Sequence, residues 1–235
     1  LILKSHTWQL AATRDNSAAE QDPDNHFHWR WSVQRLDAEA VRDFVLAACG
    51  QLDPSMGQSM LHVRNREFLF DHTSKDGTRY DSFRRSIYLP VIRNNLYDAM
   101  SLFDCTDGAV PNGDRGSSTV ASQALFLMNS PLVIQASEHL ARQLLQHSSD
   151  FTARAELLHL KTLGRPASPA DIQNLQLAAD RLTQQLQTES AAAAESSPPA
   201  DTNSPTAVQP PNVELAVWTS LCQAMLMSNE FLYIR

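Results

Sequence analysis

The residues with the greatest capacity for chemistry lie in the phrase DPDNHFHWRW. His26 and His28 are two apart and are flanked by Trp29 and Trp31. On an extended segment, side chains two apart point to the same side. Two imidazoles on one side could hold zinc or copper if a third ligand came from elsewhere. Asp24, His6, His62 and His72 are the candidates for it. The alternative is a loop packed by its tryptophans onto the helix that follows.

The aromatic residues suggest a second chemistry. Trp29, Trp31 and Tyr80 could form a stacking surface for sugar rings. Arg84 and Arg85, with Arg93 further on, bring positive charge to a strand-like run. Alternation along such a run sends Arg84 and Arg85 to opposite sides. One is expected to be buried against Asp81, Asp43 or Glu39, where a bidentate guanidinium–carboxylate pair would fix how the run meets a helix. The other is expected to face solvent, where an anionic glycan is a conceivable ligand.

Acid–base chemistry needs carboxylates in contrasting surroundings. The local pairs are Asp22 with Asp24, Asp37 with Glu39, and Asp104 with Asp107. Glu39 and Asp43 also lie one helical turn apart, within reach of Arg35 or Arg42. None stands in an apolar stretch that would raise its pKa. There is no G-x-S-x-G elbow and no Walker-type glycine loop. PNGDRGSST could offer backbone N–H groups to an anion but lacks a P-loop's lysine and spacing. Cys49, Cys105 and Cys222 are far apart and form no C-x-x-C; Cys49 and Cys222 lie in apolar helical patterns and read as small core residues. No cofactor is expected.

These residues need positioning, and the patterns are mostly helical. The 235 residues, 43% hydrophobic with only 7 glycines, suit one helical domain over residues 1–235. The formal net charge of −7 weighs against a general nucleic-acid role. No run of roughly 18 apolar residues could span a membrane. The chain opens at Leu1 in a helix-like pattern and reads as the C-terminal part of a longer polypeptide. Residues 1–13 read as a helix end, and 15–25 as a loop. Asp37 is the expected N-cap of a helix with Leu36 and Val41 as its staple. Val41, Phe44, Val45 and Ala48 form its stripe, and Gly50 its left-handed end. A β-hairpin or extended excursion is expected near residues 59–92. Thr119 is expected to cap a short helix, and Ser130-Pro131 to start the next, with Val133, Ala136, Leu140 and Leu144 on its buried face. A helix over 151–163 closes at Gly164. Ser168 and Asp171 resemble a capping box before a seam of Ile172, Leu175, Ala179, Leu182 and Leu186. Residues 188–212 are rich in Ala, Ser and Pro and are expected to be a disordered insertion. A last helix carries Val213, Val217, Leu221 and Met225.

Long phrases in a fixed order carry a resemblance: DPDNHFHWRWSVQRLDAEAVRD, GQLDPSMG, YDSFRRSIYLPVIRN, the run from SLFD to ASEHLARQLL, LGRPASPADI and LCQAMLMSNEFLYIR. Together they resemble the planctomycete-type domain of unknown function 1553. The resemblance implies a C-terminal module of large exported proteins. It usually follows a domain of unknown function 1549, and often an upstream cytochrome c segment or lectin-like modules. It implies no catalytic residue. The chain departs from the pattern at His26, where members commonly carry Arg, and in the length of its proline-rich insertion. The implied role is a non-catalytic structural or interaction module that docks on an upstream domain of the same polypeptide; the alternative is an enzyme or glycan-binding accessory domain acting on complex polysaccharides.

Overall fold

The computed structural model describes residues 1–61, 80–92, 96–106, 111–196 and 212–234, with backbone alone for 191–196. Among them the chain is mainly α. The elements run α1 (Asn16–Gln21), β1 (Gln34–Arg35), α2 (Ala38–Ala48), α3 (Asp98–Leu102), α4 (Ala121–Asn129), α5 (Pro131–His147), α6 (Phe151–Leu163), α7 (Pro169–Ser196), α8 (Val213–Leu226), α9 (Asn229–Leu232) and β2 (Tyr233–Ile234).

The core forms where apolar helix faces meet. Val133, Ala136, Leu140 and Leu144 of α5 are buried against Val217, Trp218, Leu221 and Cys222 of α8. The spacing of these residues makes one stripe per helix. The expected seam of α7 covers α8 from outside, with Ala179 buried and Leu175, Leu182 and Leu186 packed on the cluster. α2 contributes Ala38, Val41, Val45 and Cys49.

Several helix ends follow from their capping residues, while Asp37 and Ser130 stand at the N-cap positions of α2 and α5 without a side-chain capping bond. Asp150 accepts from the Ala153 N–H at 2.8 Å. Ser168 and Asp171 exchange backbone-to-side-chain bonds of 2.9 and 3.2 Å, a reciprocal capping box. At the end of α2, Gly50 adopts φ 73°. Its N–H reaches the Ala47 carbonyl and that of Gln51 the Leu46 carbonyl, both at 2.9 Å, the double bond of a Schellman ending. Leu36 and Val41 are both buried around Asp37.

Several expectations are corrected. Residues 1–13 hold only a 3-10 turn at Ile2–Lys4; Leu1, Ile2 and Leu3 are exposed, and short helices draw their stability from packing an apolar face. The loop expected at 15–25 contains α1, capped by Asp15 through the Ser17 and Ala18 N–H groups. Thr119 is no cap; its hydroxyl lies 3.4 Å from that of Tyr233, and Gln123 accepts from the Val120 N–H instead. α7 continues through Ser196, into the segment expected to be disordered, because its alanines are the strongest helix formers; residues 197–211 lie outside the described residues. The hairpin expected near 59–92 falls largely on 62–79, also outside them. The described part is extended, with a parallel bridge between Asp53 and Arg84 and a 3-10 turn at Ser86–Tyr88. The two-stranded antiparallel sheet forms elsewhere, pairing Gln34 with Ile234 and Arg35 with Tyr233.

The face of α2 also differs from its expected stripe. Phe44 points out and Arg42 points in, at 2% exposure. The Arg42 guanidinium donates to the carbonyl oxygens of Ser82 and Arg84, the latter at 2.9 Å, and to Ser86 Oγ at 3.3 Å. Burial lowers its pKa from the ordinary arginine range. Next to it, Asp43 Oδ1 accepts from the Ser86 N–H and hydroxyl, both at 2.7 Å. One helix turn thus holds a segment whose sheet pairing, among the described residues, is limited to the bridge with Asp53, and supplies partners its backbone would otherwise lack. Replacing Arg42 by Met keeps volume and strands those acceptors, so the variant is expected to lose roughly 3 kcal/mol of stability. Urea denaturation of both proteins measures it; equal midpoints would show that the segment is held by other means.

Candidate functional site

A depression of about 550 Å³ opens beside α2. The first turns of α2 supply Asp37, Glu39 and Asp43, and the segment pinned by Arg42 supplies Tyr80, Arg85, Ile87 and Leu89. Tyr97 and Met100, at the start of α3, complete its apolar side, and Cys105 and Arg115 close its other end. The Tyr80 and Tyr97 rings stack with centroids 4.8 Å apart and planes 17° apart.

The charges at the two ends behave differently. Arg115 grips Glu39 with two bonds of 2.7 and 2.9 Å and lies 3.6 Å from Asp37. That guanidinium holds the Glu39 carboxyl below its ordinary pKa of 4.5, and Glu39 in turn raises that of Arg115. Burial, and then Glu39, push the Cys105 thiol up, the wrong direction for a nucleophilic thiolate. Burial likewise raises the Tyr97 phenol. The Arg85–Asp43 pair is looser, at 3.9 Å, with Arg85 51% exposed.

The sequence candidates divide among three places. Tyr80 and Arg85 come together in this depression. Arg84 is drawn into structure instead; it donates to the Met56 and Gln58 carbonyls at 2.6 and 3.0 Å. Gly57, at φ 59°, leaves room for it, since an added Cβ would stand 2.0 Å from Arg84 Nη1. Trp31 meets Trp8 edge to face at 5.8 Å, while Trp29 lies under the Arg30 guanidinium at 5.1 Å and donates to the Asp22 carbonyl at 2.9 Å. No ring contact joins Trp29 or Trp31 to Tyr80 among the described residues, so the three aromatics do not form one stacking surface.

The histidine pair does not adopt the extended geometry expected of it. Asn25 and His28 have positive φ, 57° and 53°, and the chain turns between them. The turn is organised by the buried Asp22, which accepts from the N–H groups of His26 at 2.9 Å and Phe27 at 2.8 Å. These bonds, Phe27's first, hold its pKa below the ordinary carboxylate value. His26 is exposed and 3.7 Å from Asp24. His28 borders a second depression of about 330 Å³ with Ile2, Trp8, Leu10 and Trp31. Among the described residues no three His, Cys, Asp or Glu side chains group to hold a metal; His62 and His72 lie outside those residues, as does Arg93.

A family model described as PSD1, protein of unknown function (DUF1553), matches residues 1–178. The chain belongs to the DUF1553 family. The match spans both depressions and ends within α7, so the DUF1553 phrase LCQAMLMSNEFLYIR lies beyond the matched residues. No curated protein and no solved structure matches the chain. No helix among the described residues is long and apolar enough to cross a membrane.

Sequence reasoning missed Tyr97 and Arg115; it named Arg42 only as a partner for the α2 carboxylates, and Arg42 does lie 3.5 Å from Asp43, but its hold on the segment at 82–86 was not foreseen. Arg42 had a signal, since Ala38, Val41, Arg42 and Val45 share one helical stripe and a charge there needs partners. Arg115 had none; it reaches α2 from an exposed loop 76 residues away in sequence. The lowered Glu39 pKa makes its pair with Arg115 stabilising above about pH 4.5, with loss as the pH falls through the lowered value. Glu39→Gln removes that dependence. Thermal midpoints measured downward from pH 6 are expected to fall less steeply in the variant; parallel curves would show that the pair does not couple to folding.

Proposed function

We propose that the chain is a non-catalytic interaction module of a larger exported polypeptide, and that it docks on a preceding domain of that polypeptide. The observation that carries the reading is an uncovered apolar strip. Leu1, Ile2, Leu3 and Trp8 are exposed, Ile2 at 73% and Trp8 at 49%. Ile2 and Trp8 border the depression that also holds Leu10 and Trp31. Single exposed apolar residues are ordinary, but a contiguous group beside an apolar hollow is the mark of an interaction surface. The Trp31 indole N–H, buried there without an acceptor among the described residues, leaves a polar group unmet at the same place. Family membership supports the kind of partner, and export rests on the same resemblance.

The enzymatic alternative draws less support. In the larger depression Glu39 is held ionised by Arg115, and the Cys105 thiol is pushed away from its reactive form. Neither group is tuned for proton exchange near neutral pH.

Oxidative footprinting of the full gene product against this chain alone tests the docking reading. Ile2, Leu3 and Trp8 are expected to be oxidised several-fold more slowly in the full product, with Phe44 and Leu160, exposed on α2 and α6, unchanged. Equal rates at the strip would sink it.

A further inference from the structure

We propose that the depression beside α2 binds a neutral sugar ring, a site separate from the docking strip and independent of it. The argument rests on how donors and acceptors are distributed over an apolar floor. Sugar hydroxyls donate and accept at once; carboxylates only accept and guanidinium groups only donate. A site for hydroxyls therefore needs both kinds close together, with capacity left over.

The Arg85–Asp43 pair supplies this. Asp43 Oδ1 is committed to Ser86, while Oδ2 faces Arg85 Nε at 3.9 Å, beyond hydrogen-bond length. A hydroxyl group placed at the pair can accept from Arg85 and donate to Asp43 Oδ2. Arg85 is half exposed and so reaches a ligand without unfolding anything. Alongside stand the stacked Tyr80 and Tyr97, with Leu89 and Met100. Such a wall suits the C–H face of a pyranose. The volume, about 550 Å³, is that of a small-ligand site.

Charge selects the neutral class. Three carboxylates, Asp37, Glu39 and Asp43, border the depression against two guanidinium groups. Arg115 is already consumed by Glu39, so among the described residues only Arg85 could meet an acidic sugar, and it would do so beside Asp43. A uronate carboxylate would be repelled where a hydroxyl is bonded. A bare cation finds acceptors but forgoes the apolar wall.

Saturation-transfer NMR on the chain, with glucose, galactose, mannose, xylotriose and glucuronate as probes, tests the proposal. At least one neutral probe is expected to take up saturation and glucuronate to take up less. Arg85→Ala, at an exposed position, is expected to weaken the neutral probe's binding about tenfold, the loss of one charged hydrogen bond, without moving the thermal midpoint. Tyr80→Leu is expected to weaken it as well; should that variant fold poorly, Arg85→Ala alone decides. Three results would overturn the proposal: no transfer to any neutral probe at tens of millimolar (on the order set by weak single-sugar sites), stronger transfer to glucuronate, or binding untouched by Arg85→Ala.

Discussion

Arg42 is the constraint on which the shape of the site depends. A guanidinium on the inner face of α2 is costly to desolvate. It is tolerated because it meets carbonyl groups of a segment that has few other partners. The residues around 82–86 run beside α2 with, among the described residues, a bridge only to Asp53. A backbone so placed would otherwise be left with unmet acceptors. Arg42 supplies donors from the helix, and Asp43, the next residue, supplies an acceptor for Ser86. Together they do for this segment what a neighbouring strand does in a sheet. The wall of the depression beside α2 exists because this segment is held in place.

The same device recurs. Arg35 of β1, its side chain almost buried, donates to the carbonyl oxygens of Phe103 and Ser118 and to Asp104 at 2.7 Å. Arg154 of α6 reaches Glu214 at the start of α8 at 2.6 Å. Arg165, just after α6, joins Asp171 of α7 to Glu230 of α9. In each case an arginine connects segments distant in sequence, while helix-to-helix burial is apolar. The division is physically sensible. Apolar faces provide stability with little directional preference, whereas a planar guanidinium with five donors fixes where a loop must lie.

That division also explains what could be read in the sequence. The helices and several of their ends were legible, because caps and stripes are local patterns: Gly50, Gly164, Ser168 with Asp171, and the α5 face all stand as the residues suggest. The mainly helical class was legible for the same reason, and so was the family, through long ordered phrases. The site was legible only in part. Tyr80 and Arg85 were candidates, but the residues that complete their surroundings come from α2, α3 and the loop at Arg115. No periodicity links those. Arg84 and Arg85 differ in role because a bridge to Asp53 and the pocket at Gly57 capture one of them, a distinction alternation alone cannot assign. The pairing of β1 with β2 joins residues about two hundred positions apart in sequence, a register that no local pattern specifies.

The depressions share residues at their borders. Gln34 borders both the apolar hollow at the N-terminal strip and a polar hollow of about 670 Å³; Asp37 and Arg115 border that polar hollow and the depression beside α2. A concave band therefore runs from the apolar strip, past β1, to the tyrosine wall, and Arg115 stands on the ridge at its middle. The Arg115 side chain is 40% exposed and is held by carboxylates on α2, so the ridge is an ion pair rather than packed core. An exposed pair contributes little to stability and can rearrange at small cost. A domain seated on the strip would stand at one end of this band, with the polar hollow between it and the tyrosines.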